Sequence, residues 1–292
     1  MPLLTVNELE QMSFLFRGKV GNALAREIMK IVGLDKINDL YDRHSGVVGP
    51  DFTKAVFDDV GYSYRIHYHG EVISRDNLVD IIPSSSFITV SNHPCGHLDG
   101  MTLVDMFAPL RSDYKVMVNK ILSRIRTLEQ NFISVTPNGT QKTSPTSASI
   151  SGIKMALKHL CSNGSLGLFP AGAVSDLQLL PVQDVNGASS RKEWRVEDRP
   201  WQEPVIRLIG RSRVPVVPVR FCGGNSPLYY RLGLIDWRVR LLRLLKEVFN
   251  KRGYVMDVVL GDPIFLSEHP SDNCSDGNLG EMLRRELYAL EP

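Results

Sequence analysis

Cysteine is scarce in this 292-residue chain, and the four present, Cys95, Cys161, Cys222 and Cys274, include no Cys-x-x-Cys pair. That argues against a zinc knuckle or a disulfide framework and leads to the expectation of a reducing, cytoplasmic setting. No stretch reaches the roughly 18 consecutive apolar residues that a spanning helix needs. The opening "MPLLTVNELEQM" has no basic segment followed by an apolar one, so no secretory leader is expected. Charge of either sign is not in excess: 34 Lys and Arg stand against 32 Asp and Glu, a formal net charge of +2. Proteins built around nucleic acid carry a strongly basic face, so nucleic acid is not an expected partner, and an anionic partner must be met by a local patch. A Gly-x-Ser-x-Gly nucleophile elbow is missing too, because "NGSLG" at 163–167 begins with asparagine. No internal repeat is found.

What is present is a rhythm. Apolar residues recur at three- and four-residue steps over residues 6–43, including Leu9, Met12, Phe16, Val20, Leu24, Ile28 and Ile31, which predicts helices interrupted at Gly18, Gly21 and Gly33. "YSYRIHYHGEVIS" alternates like a strand or hairpin, with His67 and His69 on a solvated face. Short apolar runs then alternate with helical stretches: strand 86–91, helix 99–108, strand 114–118, helix 120–129, strand 132–135, helix 149–162 and strand 165–169. Residues 178–200 are polar and irregular and read as a lid or binding loop. Strand 215–221, a helical stretch from 227 to 250, strand 254–260 and a helix at 278–290 follow. This order predicts an α/β fold with a mostly parallel central sheet flanked by helices, plus an N-terminal helical extension. The extension is assigned to residues 1–60 and the main domain to residues 61–292.

"SNHPCGHLDG", 91–100, concentrates the chemistry at a strand-to-helix turn. His93 and His97, four residues apart, with Asp99 as a third ligand would suit a metal on a helical face, but Pro94 and Gly96 argue against a helix there. No metal is therefore expected. His93 with Asp99 also fits a general base and the carboxylate that orients it. Equally, Asp99 fits a helix cap and His93 a turn residue. If His93 is a base, the nucleophile belongs to the substrate.

Three ordered stretches resemble one family. "NHPCGHLDG" is similar to the first motif of the glycerolipid (lysophosphatidate-type) acyltransferases, in the five-residue spacing of the hemolysin-like or aminolipid O-acyltransferase branch. Asn92, His93, Pro94, Gly96, Asp99 and Gly100 match it. "LGLFPAGAVS", 166–175, resembles the Phe-Pro-Glu-Gly motif, and "VPVVPVRFCGGNSPLYYRLG", 214–233, resembles a late motif. The resemblance covers about residues 60–235. Where glycerol-phosphate acyltransferases carry Glu and Arg, this chain has Ala171 and Val174, and valine cannot grip a phosphate as arginine does.

The resemblance implies an acyltransferase domain over 61–292 and no bound cofactor. Acyl-acyl carrier protein or acyl-CoA would be the co-substrate, with acyl carrier protein the expected partner. It implies a bacterial enzyme of lipid biosynthesis that acylates the 3-hydroxyl of an N-(3-hydroxyacyl) amino acid, the lyso form of a glycine or ornithine lipid. His93 and Asp99 would be catalytic, with backbone N–H groups near Gly96 or Gly172 facing the oxyanion. Asn92, Gly96, Phe169, Pro170, Ala171, Gly172, Arg191, Arg195 and Asn225 would line the substrate site. Alternatives are a lysophosphatidate-type acyltransferase and a non-enzymatic, hemolysin-like lipid-binding protein. A membrane-resident acceptor implies a peripheral protein on the inner face of the cell membrane. The contact would be made by the helix "IDWRVRLLRLLKEVFNKRG", with Trp237, Leu241, Leu244, Leu245 and Val248 opposite Arg240, Arg243, Lys246 and Lys251, or by the N-terminal helices. The same stripe equally fits a helix packed on a core.

Overall fold

The computed structural model describes residues 18–135, 147–183, 190–235, 237–266 and 276–292. Helices α1 (Gly18–Val32), α2 (Leu34–Arg43) and α3 (Gly49–Val60) come first. Gly33 separates the first two at φ +79°, a left-handed conformation that a Cβ would disfavour. Gly21, expected to break the pattern, lies inside α1. Residues 1–17 of the expected N-terminal helices lie outside the described residues.

The chain continues through β1 (Tyr62–Tyr68), β2 (Glu71–Ile73), the one-turn α4 (Leu78–Ile81), β3 (Ile88–Ser91), α5 (His97–Phe107), β4 (Lys115–Asn119) and β5 (Phe132–Val135). Next come α6 (Ser147–Cys161), β6 (Leu166–Leu168), β7 (Asp176–Gln183), β8 (Ser190–Glu197), α7 (Glu203–Ser212) and β9 (Val216–Cys222). Helices α8 (Pro227–Ile235) and α9 (Trp237–Phe249), strand β10 (Tyr254–Leu260) and helix α10 (Asp276–Ala289) complete it.

Eight strands form one sheet in the order β2-β1-β10-β9-β3-β6-β4-β5. Strands β9, β3, β6, β4 and β5 run parallel, β10 is antiparallel to β9 but parallel to β1, and β2 folds back on β1. This is the mostly parallel α/β architecture that the strand-helix rhythm predicts. Both faces are buried. On one, Val217, Val219 and Phe221 meet Phe52, Val56 and Phe57 of α3 and Leu103 and Phe107 of α5. On the other, Ile88, Val90, Leu166 and Leu168 meet Leu160 of α6, Ile209 of α7 and Leu283 of α10. Strands covered on both sides read as continuous apolar runs, as "SFITV" does. Strand β3 lies between β6 and β9, so the segments that follow these three parallel strands emerge at one edge.

Four expectations are corrected. The helix expected at 120–129 is two tight 3₁₀ segments, Lys120–Arg124 and Arg126–Asn131, separated by Ile125 at φ −79° and ψ 80°, outside helical space. The loop expected at 178–200 is largely a hairpin: β7 and β8 pair antiparallel from Asp176↔Glu197 to Gln183↔Ser190, satisfying their backbone groups across the ladder despite their polar composition. Residues 184–189 lie outside the described residues. His67 is not on a solvated face; it is 8% exposed and its Nε2 stands 2.8 Å from Oδ1 of Asp257 on the neighbouring β10.

The fourth concerns the basic amphipathic helix. Leu244 and Val248 of α9 are buried, as a stripe packed on the core requires, but so are Arg240 and, just past the helix, Lys251, from the basic side expected to lie opposite that stripe. Arg240 is bonded to Asp176 and its guanidinium lies 5.2 Å from the Tyr229 ring centroid, while Lys251 donates to the Gly224 carbonyl. This helix is packed into the protein through both kinds of residue. The side chains of Trp237 and Leu241 lie outside the described residues. Among the described residues no helix is long and apolar enough to cross a membrane.

Candidate active site

The turn from β3 into α5 is built around one carboxylate. Asp99 is wholly buried, and its Oδ2 accepts hydrogen bonds from the backbone N–H groups of Cys95 and Gly96, each at 2.8 Å. Gly96 takes φ +76° and ψ −117°, a conformation open essentially only to glycine. A Cβ there would also stand 3.0 Å from Leu244 Cδ1. Glycine thus lets the chain double back, and the same Oδ2 reaches to 3.1 Å of Nδ1 of His93. One oxygen atom therefore caps the turn and stands nearest the imidazole.

His93 retains about 20% of its side-chain exposure while its partner has none, so the pair opens toward solvent through the imidazole. The ring stacks on Phe169, with centroids 4.0 Å apart and planes 30° apart. Phe169 opens the segment after β6, which places the second motif against the first. Nδ1 is the ring nitrogen nearest Asp99, in an ion-pair contact rather than an aligned hydrogen bond, since Nδ1 is buried and has no hydrogen-bond partner among the described residues.

Three further supports fix the His93 backbone. Its N–H donates to Oδ1 of Asp198 at 3.2 Å, its carbonyl accepts from Ser175 N–H at 2.9 Å, and Ser175 Oγ donates to the same Asp198 oxygen at 2.6 Å. Burial raises the Asp198 pKa above the usual carboxylate value. Asp198 lies 105 residues from His93, and nothing in "RVEDRPW" marks it; only the fold brings it in.

The other expected site residues divide by task. Asn92 donates through Nδ2 to the Phe221 carbonyl at 2.9 Å and accepts the Phe221 N–H at 2.8 Å, locking the ends of β3 and β9 together. Asn225 donates to the Pro94 carbonyl at 3.1 Å, and Tyr230 O–H reaches the same carbonyl at 3.4 Å, so the third motif holds the turn from behind. Pro170 and Ala171 offer their carbonyls to the backbone and side chain of Gln202. Gly172 N–H donates to the Phe169 carbonyl, so neither this amide nor that of Gly96 is free to face an oxyanion. Ala171 and Val174 are buried, the latter packed with Tyr229, Tyr230 and Leu244. Arg195 is exposed on β8, 3.5 Å from Glu193, and is not brought to the His93 ring by any described contact. The side chain of Arg191 lies outside the described residues.

Two neighbouring groups bear on alternative chemistries. Burial, with Asp99 alongside, pushes the Cys95 thiol well above its ordinary range, so it is protonated and inert as a nucleophile at neutral pH. His97 keeps some accessible surface, yet the protein atoms around its ring, together with His93, push its pKa down to about 4. Among the described residues no three His, Cys, Asp or Glu side chains are grouped to hold a metal ion.

Beside this turn lies a cavity of about 310 Å³, lined by Asp176, Leu177, Gln178, Arg199, Tyr230 and Leu234 among others. Asp176 is gripped by the buried Arg240, behind the wall, and, at 2.7 Å, by Nε of the half-exposed Arg199, so the wall itself carries one carboxylate and one guanidinium.

Comparison with known proteins places the chain among relatives. The model of a family described as Acyltransferase matches residues 10–291. A lyso-glycine lipid O-acyltransferase of Bacteroides thetaiotaomicron is 28% identical over 246 residues, which cover 81% of this chain and 79% of the relative. A protein of the same name from Phocaeicola vulgatus is 24% identical over 242 residues, 80% of this chain and 76% of its own length. The crystal structure of the 1-acyl-sn-glycerophosphate (LPA) acyltransferase PlsC from Thermotoga maritima aligns with a TM-score of 0.46 at 14% identity, covering 82% of this chain and 76% of that one.

Proposed function

The chain belongs to this acyltransferase family and is an enzyme of that class, and we propose that it completes a glycine lipid by acylating the 3-hydroxyl of an N-(3-hydroxyacyl)glycine. The observation that carries this reading is the buried Asp99 at 3.1 Å from Nδ1 of His93, whose side chain keeps about 20% of its exposure. The acceptor follows the two lyso-glycine lipid O-acyltransferases, each similar over about four-fifths of the chain.

In this reaction His93 Nε2 removes the proton of the acceptor hydroxyl, and the oxygen attacks the carbonyl carbon of an acyl thioester. Collapse of the tetrahedral intermediate breaks the carbon–sulfur bond. The imidazolium returns its proton to the leaving thiolate, yielding ester and free thiol. Asp99 holds the tautomer that presents Nε2 and stabilises the imidazolium between the two proton transfers. Acyl carrier protein or coenzyme A carries the thioester, and the acceptor is taken from the cytoplasmic face of the membrane. Its carboxylate meets Arg199 at the cavity wall, with Arg195 farther along the hairpin. Buried, apolar Ala171 and Val174 offer no grip on a phosphate, which favours a carboxylate-bearing acceptor over a glycerol phosphate.

The test is replacement of the gene by its His93→Ala form, followed by lipid mass spectrometry. Loss of the two-chain glycine lipid with accumulation of its one-chain precursor is the expected result. Unchanged lipids with a stably expressed variant would reject the base, and accumulation of lysophosphatidate would reassign the acceptor.

A further inference from the structure

The β7–β8 hairpin forms its own two-stranded sheet, and its residues alternate between two faces. Leu177, Leu179 and Pro181 share one face with their cross-strand partners Val196, Trp194 and Lys192. Asp176, Gln178 and Leu180 share the other with Glu197, Arg195 and Glu193. All acidic side chains among the described hairpin residues therefore lie on the second face. The first is apolar, with one lysine at its outer end.

At the base of that first face, Leu177 and Val196 pack on Val174, Tyr229, Tyr230 and Leu244. One step outward the cover ends: the directly paired Leu179 and Trp194 are 46% and 57% exposed. Helix α8 packs on β7 and extends the apolar surface, since Leu234 shares the cavity wall with Leu177 and is 59% exposed, with Ile235 80% exposed beside it. The only charged residue in α8 is Arg231, also exposed. Large apolar side chains left in water on the hairpin and on α8, with the cations Lys192 and Arg231 on the same two elements, mark a surface that meets something apolar and anionic.

We infer that Leu179 and Trp194 of the hairpin, with Leu234 and Ile235 of α8, form the face by which this protein rests on an anionic lipid bilayer. Lys192 and Arg231 meet the phosphates, and the indole of Trp194 sits at head-group depth, where its apolar body and its N–H are both accommodated. The placement gives the surface a purpose, and here it rests on the acceptor being a membrane lipid. The cavity that Leu234 helps to wall also contains Tyr230, whose hydroxyl touches the Pro94 carbonyl next to His93. A lipid drawn from beneath this face enters beside the catalytic turn.

Co-sedimentation with phosphatidylglycerol vesicles tests the inference and needs no turnover. The wild-type chain and His93→Ala are expected to bind equally and to be released by salt. A Leu179→Ser, Trp194→Ser double variant is expected to bind about tenfold or more weakly, with its thermal unfolding unchanged because both positions are exposed. Ile235→Ser supplies an independent variant, and Val255→Ser, exposed elsewhere on the protein, is the control. Wild-type vesicle affinity in both patch variants would overturn the inference. So would an equal loss in Val255→Ser, absence of vesicle binding by the wild type, or a defect confined to binding acyl carrier protein. Transfer to detergent-dispersed acceptor, measured in parallel, reports on the catalytic reading separately.

Discussion

Replacing Asp99 by asparagine separates an orienting carboxylate from a structural cap. In the native turn one oxygen accepts the Cys95 and Gly96 N–H groups and faces Nδ1 of His93. An asparagine carbonyl can still accept both amides, so the turn survives, but the negative charge beside the imidazolium is gone. Unit charges 3.1 Å apart attract by about 5 kcal/mol at an effective dielectric near 20. Because His93 is partly open to solvent, about 3–5 kcal/mol is the expected loss, or about 10²- to 10⁴-fold in kcat. KM should change little, since the interaction strengthens only as the imidazole becomes charged. The assay is thiol release from an acyl thioester with N-(3-hydroxyacyl)glycine as acceptor, alongside a thermal melt. A folded Asp99→Asn enzyme with kcat within about threefold of wild type would show that the carboxylate only caps the helix.

Gly96→Ala forces a side chain into a left-handed backbone position 3.0 Å from Leu244, at a cost of about 1–3 kcal/mol; a lowered melting temperature with lost activity is expected, and an unchanged melt would contradict the geometry. His97 has its folded pKa lowered from 6.5 to about 4, so the stability it confers is present above pH 6.5 and is lost as pH falls through about 4. The loss is up to about 3 kcal/mol, and His97→Gln should flatten that part of a denaturant-based stability profile. Asp198 shows the opposite sign: burial raises its folded pKa, so the stability it lends when protonated disappears as pH rises past the ordinary carboxylate range. Asp198→Asn, which can still accept from His93 and Ser175, should therefore melt higher than wild type at neutral pH and converge with it in acid; a gap that persists in acid would refute this.

What was legible in the sequence was whatever depends on near neighbours or on burial. Strand β3 and helix α5 showed themselves because a doubly covered strand must be apolar, and Pro94 and Gly96 told of a turn where a metal-binding helix would otherwise be drawn. The hairpin was missed because strands standing off the core need no strict apolar alternation; their ladder satisfies the backbone, and Leu177, Leu179, Trp194 and Val196 look unremarkable until paired. Asp198 was invisible for a different reason, as its partner is 105 residues away and its neighbours in sequence are ordinary surface charges. Arg240 and Lys251 were misread because basic residues at helical spacing are usually solvated, whereas here a carboxylate, a carbonyl and aromatic rings receive them.

Strand order has a consequence for how the enzyme comes into being. β3 is made early, yet its two neighbours in the sheet, β6 and β9, begin only at Leu166 and Val216, and the Asn92–Phe221 lock spans 129 residues. A nascent chain halfway through synthesis already carries His93 and Asp99 but lacks Phe169 to stack on the base, Asp198 to fix its backbone and Asn225 to brace its turn. Translation must pass all three before the His93 turn is framed, so a truncated product holds His93 and Asp99 without the contacts that fix them in place.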